Sequence, residues 1–175
     1  MELAEFLQRY DAATFEWIDG EEIHIHEMPI GLERMLRRLA GYLSDYAEVS
    51  DGSAVFVHHP FVLLDADEII YARTPDVMLY HPGQITQAAN GLITAAPDLA
   101  VEIISTPNEI PAMYRKTLGY LRMGVQQVWL IDPEMHTLSI YRQGTKEITV
   151  LGTRHKMQDN ALLPGLEFNI VDLFA

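Results

Sequence analysis

The sequence lacks cysteine altogether, and this absence removes several kinds of chemistry. Disulfide bonds, thiolate nucleophiles and cysteine-bound zinc all require that side chain. Long apolar runs are also missing: no stretch of about 20 apolar residues occurs, so no transmembrane helix is expected. The opening stretch MELAEFLQRYDAATF is too polar and acidic for a secretory signal. We therefore expect a cytoplasmic protein with no membrane partner.

Positive charge is scarce in this chain. Lys and Arg together number 12 against 25 Asp and Glu, which gives a formal net charge of −13. Non-specific binding of nucleic acid depends on Lys and Arg neutralising phosphates, so the overall charge disfavours DNA as a partner. Phosphate chemistry would need a local basic patch, metal ions or a groove between subunits. The 175 residues, 49% of them apolar, suit one folded domain spanning 1–175.

The order of helical and extended patterns predicts a mixed α/β fold. Alternation in TFEWIDGEEIHIH around Asp19-Gly20 is typical of an N-terminal β-hairpin. Extended stretches follow in SAVFVHHPFVLL, where Pro60 marks a bend or edge, and in PDVMLYH and LAVEIIS. A meander of three strands and a short helix complete the chain. Strands combined with two long helices imply an α/β sandwich around a central mixed sheet.

The two long helices can be placed by their apolar spacing. The first lies in IGLERMLRRLAGYLSDY, with a predicted buried face of Leu32, Met35, Leu36, Leu39 and Leu43. The second lies in TPNEIPAMYRKTLGYLRMG, with Asn108 as the N-cap and Gly124 just after its end. Its predicted buried face comprises Ile110, Met113, Thr117 and Leu121.

Two Pro-Asp pairs and one buried acid suggest a metal site. Asp98 and Glu102 are four residues apart in APDLAVEIIS, so on a straight strand they lie about 13 Å apart and cannot bind one ion. Asp76, in TPDVMLYH, offers a better partner, because adjacent strands lie about 4.8 Å apart. If these two strands pair, Asp76 and Glu102 can face each other and bind one divalent ion.

Hydrolysis of a phosphodiester also needs a positive group near the metal. Ile104 occupies the position two residues after Glu102, so no lysine lies there. The next lysine is Lys116, in the following helix, where it shares a helix face with Tyr120 four residues later. Lys116 can therefore reach back over the end of the sheet.

The combination of these motifs resembles the Uma-two family, a bacterial group regarded as endonucleases within the PD-(D/E)XK restriction-endonuclease-like superfamily. The resemblance spans nearly the whole chain. The matching positions are Pro75-Asp76, Glu102 with Ser105, Lys116, Tyr120, Gly124-Val125, Val128-Trp129, Asp132-Pro133 and Pro164-Gly165, together with the IDGEEI hairpin. Relatives often carry His where this chain has Leu32, and the neighbouring Glu33 could contribute an acid there. Relatives also often carry Asp shortly before the lysine, where this chain has Ala112.

The resemblance implies a restriction-endonuclease-like fold and a Mg²⁺-dependent endonuclease acting on DNA as a homodimer. Asp76 and Glu102 would bind Mg²⁺, with Mn²⁺ as a substitute, and the backbone carbonyl of Ile103 would be a further ligand. Lys116 would be the catalytic lysine.

Other interpretations of the same residues stay open. Asp76 can cap its strand, and Glu102 with Lys116 can form an ion pair without any catalytic role. The chain could then be a protein-binding or regulatory module, or a hydrolase of small phosphate esters, which suits an acidic protein. The pairs His24-x-His26 and His58-His59 also permit a zinc hypothesis, although no His-Glu-x-x-His motif accompanies them.

Overall fold

The structure is a computed structural model. It describes residues 1–9, 15–18, 20–25, 28–50, 52–86, 92–106, 110–158 and 160–175. Three predicted features lie outside these residues: Asp19 of the hairpin turn, the N-cap Asn108, and His26.

A six-stranded mixed sheet forms the centre of the fold. Its strands, in spatial order, are β10 (Ile148–Gly152), β9 (Thr137–Arg142), β8 (Gln127–Asp132), β7 (Leu99–Ile103), β6 (Val77–Tyr80) and β3 (Ala54–Val57). β7 and β8 are parallel and the other neighbours are antiparallel. Pairing of the PDVML and LAVEI strands is confirmed, as is the predicted meander.

A four-stranded antiparallel sheet, here called the N-terminal sheet, lies beside it. Its order is β2 (Glu21–His24), β1 (Phe15–Ile18), β5 (Glu68–Arg73) and β4 (Phe61–Asp65). The stretch SAVFVHHPFVLL therefore divides between two sheets. The division falls at His58, whose φ of 47° is in the left-handed region, and at Pro60, so the predicted bend is confirmed.

One long helix covers each face of the central sheet. α2 (Ile30–Val49) buries Met35, Leu36, Leu39 and Leu43 against it, as the apolar spacing predicts, while Leu32 is only partly buried. α3 (Ile110–Arg122) packs on the opposite face through Tyr120. Strand alternation sends Leu99, Val101 and Ile103 towards α2. Ala100 and Glu102 therefore face α3, and this places the acid of the candidate site.

The predicted buried face of α3 is confirmed at Thr117 and wrong at Ile110. Thr117 and Tyr120 are fully buried, whereas Ile110 is 44% exposed. The helix is oriented by Tyr120 and a polar cluster described below rather than by its apolar residues alone. Gly124 follows the last turn with φ of +101°, which confirms it as the helix stop.

Short elements complete the chain: α1 (Leu3–Arg9) packs on the N-terminal sheet, and β11 (Lys156–Met157), β12 (Phe168–Asn169) and α4 (Ile170–Leu173) lie at the C-terminal end. Within the described ranges, no helix is both long and apolar enough to cross a membrane.

Candidate active site

Asp76 and Glu102 occupy opposing positions on neighbouring strands. Val77 pairs with Val101, and because the strands are antiparallel the next position places Asp76 opposite Glu102. Oδ2 of Asp76 accepts a hydrogen bond of 2.7 Å from the backbone N–H of Ile103. This bond holds the Asp76 carboxylate at the end of the β7 strand, beside the carbonyl that sequence reasoning named as a ligand.

Glu102 is a buried carboxylate with two partners on α3. Its Oε1 accepts a hydrogen bond of 2.6 Å from the Tyr120 hydroxyl and lies 2.9 Å from Lys116 Nζ. Burial raises the pKa of Glu102 to about 7, assisted by the nearby charges of Asp76 and Glu16 and opposed by Lys116 and Tyr120. Glu102 therefore changes charge near neutral pH in the protein without metal.

Lys116 lies between two buried carboxylates. Its Nζ is 2.9 Å from Glu102 Oε1 and 3.1 Å from Glu16 Oε1, and its side chain is 14% exposed. Burial alone would lower the pKa of Lys116, but attraction to Glu102 and Glu16 outweighs it and raises that pKa. Lys116 thus keeps its positive charge at the bottom of the site.

Glu16 and Arg73 belong to the same cluster, and sequence reasoning missed both. Arg73 NH1 donates to Glu16 Oε2 at 3.1 Å, and the backbone N–H of Thr74 donates to Glu16 Oε1 at 2.9 Å. Although burial raises the pKa of Glu16, Lys116 and Arg73 outweigh that effect and lower it. An acid between Phe15 and Trp17 in a short strand was the available signal, but alternation alone assigns it to solvent.

His58 is a third residue that sequence reasoning did not assign to this site. Its backbone N–H donates to the Asp76 carbonyl at 3.1 Å, and its Nε2 lies 3.4 Å from Asp76 Oδ1. The hydrogen bond with Asp76 raises the pKa of His58. His58 therefore contacts an acid of the site.

A cleft of about 800 Å³ is lined by the acids of this cluster together with Arg73 and Lys116. Its lining includes all four sequence-predicted residues, Asp76, Glu102, Ile103 and Lys116. None of residues 81–86 and 92–95, in the segment between β6 and β7, lines it. Asp76, Glu102 and Lys116 converge at an open cleft, as a hydrolytic site requires. The ion pair between Glu102 and Lys116, which a non-catalytic role also predicts, is present as well.

Asp98 does not join the cleft. It is buried at the start of β7, where its Oδ2 accepts a hydrogen bond of 2.8 Å from the backbone N–H of His81 and lies 3.1 Å from His81 Nδ1. The second Pro-Asp pair is thus structural.

Glu33 and Leu32, on α2, do not line the cleft either. Glu33 pairs with Arg37 at 3.0 Å, and Leu32 lines a separate cavity of about 170 Å³.

The chemistry of the donor set fits Mg²⁺ better than zinc. Among the residues that the structure describes, no group of three or more His, Asp or Glu side chains is placed to hold one ion. Mg²⁺ is commonly held by one or two carboxylates and keeps several waters, whereas structural zinc is enclosed by four ligands. The cleft also brings together the oxygen ligands of three carboxylates, Glu16, Asp76 and Glu102, and hard oxygen ligands of this kind suit Mg²⁺.

Comparison with known proteins gives a family and a fold. The family model Uma2, described as "Putative restriction endonuclease", matches residues 3–171. A crystal structure of a putative nuclease belonging to DUF820 from Anabaena variabilis matches with a TM-score of 0.80 and 23% sequence identity, covering 99% of this chain and 97% of that one. No match was found among curated proteins. The structural match confirms the predicted fold, and the family match over nearly the whole length shows that this chain belongs to the Uma2 (Uma-two) family.

Proposed function

We propose that the protein is a Mg²⁺-dependent endonuclease that hydrolyses DNA phosphodiester bonds. One observation carries the proposal: Lys116 Nζ lies 2.9 Å from a buried carboxylate, Glu102, that opposes Asp76 across two strands in an open cleft. Membership of a family whose description is "Putative restriction endonuclease" supports the same chemistry.

The metal ligands would be the carboxylates of Asp76 and Glu102 and the carbonyl of Ile103. A divalent ion held there lowers the pKa of a bound water and neutralises charge on the phosphate, and Mn²⁺ would serve as a substitute. Asp76 is fixed by its bond to the Ile103 N–H, and Glu102 by its bond to Tyr120. Both carboxylates are therefore oriented by the strands and helix before any ion arrives.

Lys116 would stabilise the charge that develops on the phosphate. Its second partner, Glu16, holds the ammonium group at 3.1 Å. With Glu102 engaged as a metal ligand, the contact with Glu16 would still hold the Lys116 ammonium group beside the site. This arrangement supplies a pre-positioned cation, which accounts for a large part of catalysis at such sites.

Nicking of supercoiled plasmid tests the proposal. We expect nicking with Mg²⁺ or Mn²⁺ and none with EDTA. Glu102→Ala and Lys116→Ala should each lower the rate by about 10²–10³-fold, the usual effect of removing one charge-stabilising group. Lys146→Ala, at an exposed lysine outside the cleft, is the matched control and should keep the wild-type rate. Nicking that survives both site substitutions would overturn the site assignment.

A catalytically silent module is the second candidate, and the same ion pair favours it. Lys116 already satisfies both Glu16 and Glu102, so the buried charges are paired without a metal. In that case wild-type protein would nick no DNA with either ion, and titration calorimetry would detect no Mg²⁺ binding.

A further inference from the structure

The cleft has two unlike walls. One is a face of the N-terminal sheet: Ile18 pairs with Tyr71, and Glu16 pairs with Ile23, so these side chains point the same way by strand register. The other wall is α3, reached through the contact between Glu16 and Lys116. The opposite face of the N-terminal sheet packs on Phe6 and is buried.

The α3 wall is basic. Arg115, Gly119 and Arg122 recur at a spacing that places them on one stripe of the helix, and both arginines are exposed. Within the part of the chain that the structure describes, neither arginine forms an ion pair. Gly119 has no side chain to interrupt the stripe.

The charge of the cleft is opposite in sign to that of the whole chain. Four cationic side chains line it against three acidic ones, in a protein whose formal net charge is −13. Glu16 and Glu102 are buried and Asp76 is partly buried, whereas Arg115 and Arg122 are exposed at the wall. A polyanion is therefore attracted to this cleft more than to the surface around it.

The sheet wall is apolar. Ile23 is 45% exposed, and Ile18 and Tyr71 are partly buried beside it. Nucleic-acid bases stack on aromatic side chains and pack on apolar ones, whereas phosphates require cations. The two walls thus match the two sides of a single nucleic-acid strand.

We infer that the cleft binds a single, unpaired strand, with its phosphates along Arg115 and Arg122 and its bases against Ile18, Ile23 and Tyr71. The inference rests on the proposed nuclease function for the choice of a nucleic acid. Arg115 and Arg122 are seven residues apart, or about 10 Å along the helix, so their guanidinium groups can contact separate phosphates of one strand. A cleft of about 800 Å³ has the size of a small-ligand site, so it accommodates a short piece of one strand and not a duplex.

Fluorescence anisotropy with a labelled oligonucleotide tests this inference in EDTA, where cleavage cannot consume the probe. The same sequence is used as a single strand and as a duplex, over a series of salt concentrations. We expect tighter binding of the single strand. The double variant Arg115→Gln with Arg122→Gln should make the negative slope of log K against log salt shallower by about 1.4, since each phosphate contact contributes about 0.7. The matched control, Arg34→Gln with Arg154→Gln, changes two exposed arginines outside the cleft and should keep the wild-type slope.

Tyr71→Leu separates base contacts from phosphate contacts. It keeps an apolar side chain but removes the ring, so affinity should fall at least about fivefold with no change in the salt slope. Tighter binding of the duplex, equal effects of the two arginine pairs, or no binding of either oligonucleotide would overturn the inference. Strand binding without any plasmid nicking in Mg²⁺ would overturn the proposed hydrolysis and leave this surface standing.

Discussion

Burial of Glu102 makes the stability of the metal-free protein depend on pH. Burial, with added repulsion from Asp76 and Glu16, raises the pKa of Glu102 from 4.5 to about 7. Each unit by which the pKa differs between the folded and unfolded states corresponds to about 1.4 kcal/mol of unfolding free energy. The shift therefore corresponds to about 3 kcal/mol of unfolding free energy, a large part of the total for a domain of this size.

The sign follows from proton binding. The folded state holds the Glu102 proton more tightly than the unfolded state, so folding is favoured while that proton is present. The contribution is complete below the unfolded pKa of 4.5 and is lost as the pH rises through about 7. His58, whose pKa is also raised, acts in the same direction, and Glu16, whose pKa is lowered, acts in the opposite one. A variant that removes only the Glu102 titration is needed to isolate its share.

Glu102→Gln is that variant, because the amide imitates the neutral carboxyl in shape. Urea unfolding is measured in EDTA for both proteins from about pH 4 to about pH 8. The Gln variant should gain about 3 kcal/mol relative to wild type across this range, and most of that change should fall between the unfolded pKa of 4.5 and the raised pKa of about 7. Near-ultraviolet circular dichroism at low pH checks that both proteins share one fold. Parallel stability curves would refute the reasoning, since Glu102 would then titrate as an exposed carboxyl.

Two further stability comparisons each have a matched control. Glu16→Gln removes the buried carboxylate that pairs with Arg73 and Lys116, and it should lower the free energy of unfolding in urea by about 3–5 kcal/mol. Its control, Glu33→Gln, changes an exposed pair on α2 and should lower that free energy by less than about 0.5 kcal/mol. Gly41→Ala, in the middle of α2 with open space around its Cβ position, should raise the free energy of unfolding by about 0.5–1 kcal/mol. Gly124→Ala, at a φ of +101°, should lower it by about 1 kcal/mol or more, and opposite results for the two glycines would contradict the backbone assignment.

The opposition of Asp76 and Glu102 could be predicted because it depends on regular strand geometry. A rise of about 3.3 Å per residue excludes Asp98, and a strand spacing of about 4.8 Å permits Asp76. Lys116 could be placed because the helix that carries it follows β7 directly and α3 returns over the same sheet. Each of these steps uses only local geometry and the order of elements.

Glu16 and Arg73 could not be predicted in the same way. Both come from the N-terminal sheet, and their contact with Lys116 depends on how that sheet docks on α3. Considered within β1 alone, Glu16 alternates with Phe15 and Trp17 and is expected to face solvent. The packing of the N-terminal sheet on α3 covers this face of β1 and buries Glu16. The same docking explains why α3 buries Tyr120 rather than Ile110.

Binding of Mn²⁺, counted by electron paramagnetic resonance, tests most directly whether Asp76 and Glu102 form one metal site. Wild-type protein should hold one ion per chain with measurable affinity. Asp76→Asn and Glu102→Gln should each abolish that binding, because each removes one of the two carboxylates that a hard cation requires. Asp98→Asn, which changes the other Pro-Asp pair, should leave it intact. A wild-type protein that binds no ion, or binding that persists in both site variants, would contradict the proposed metal centre.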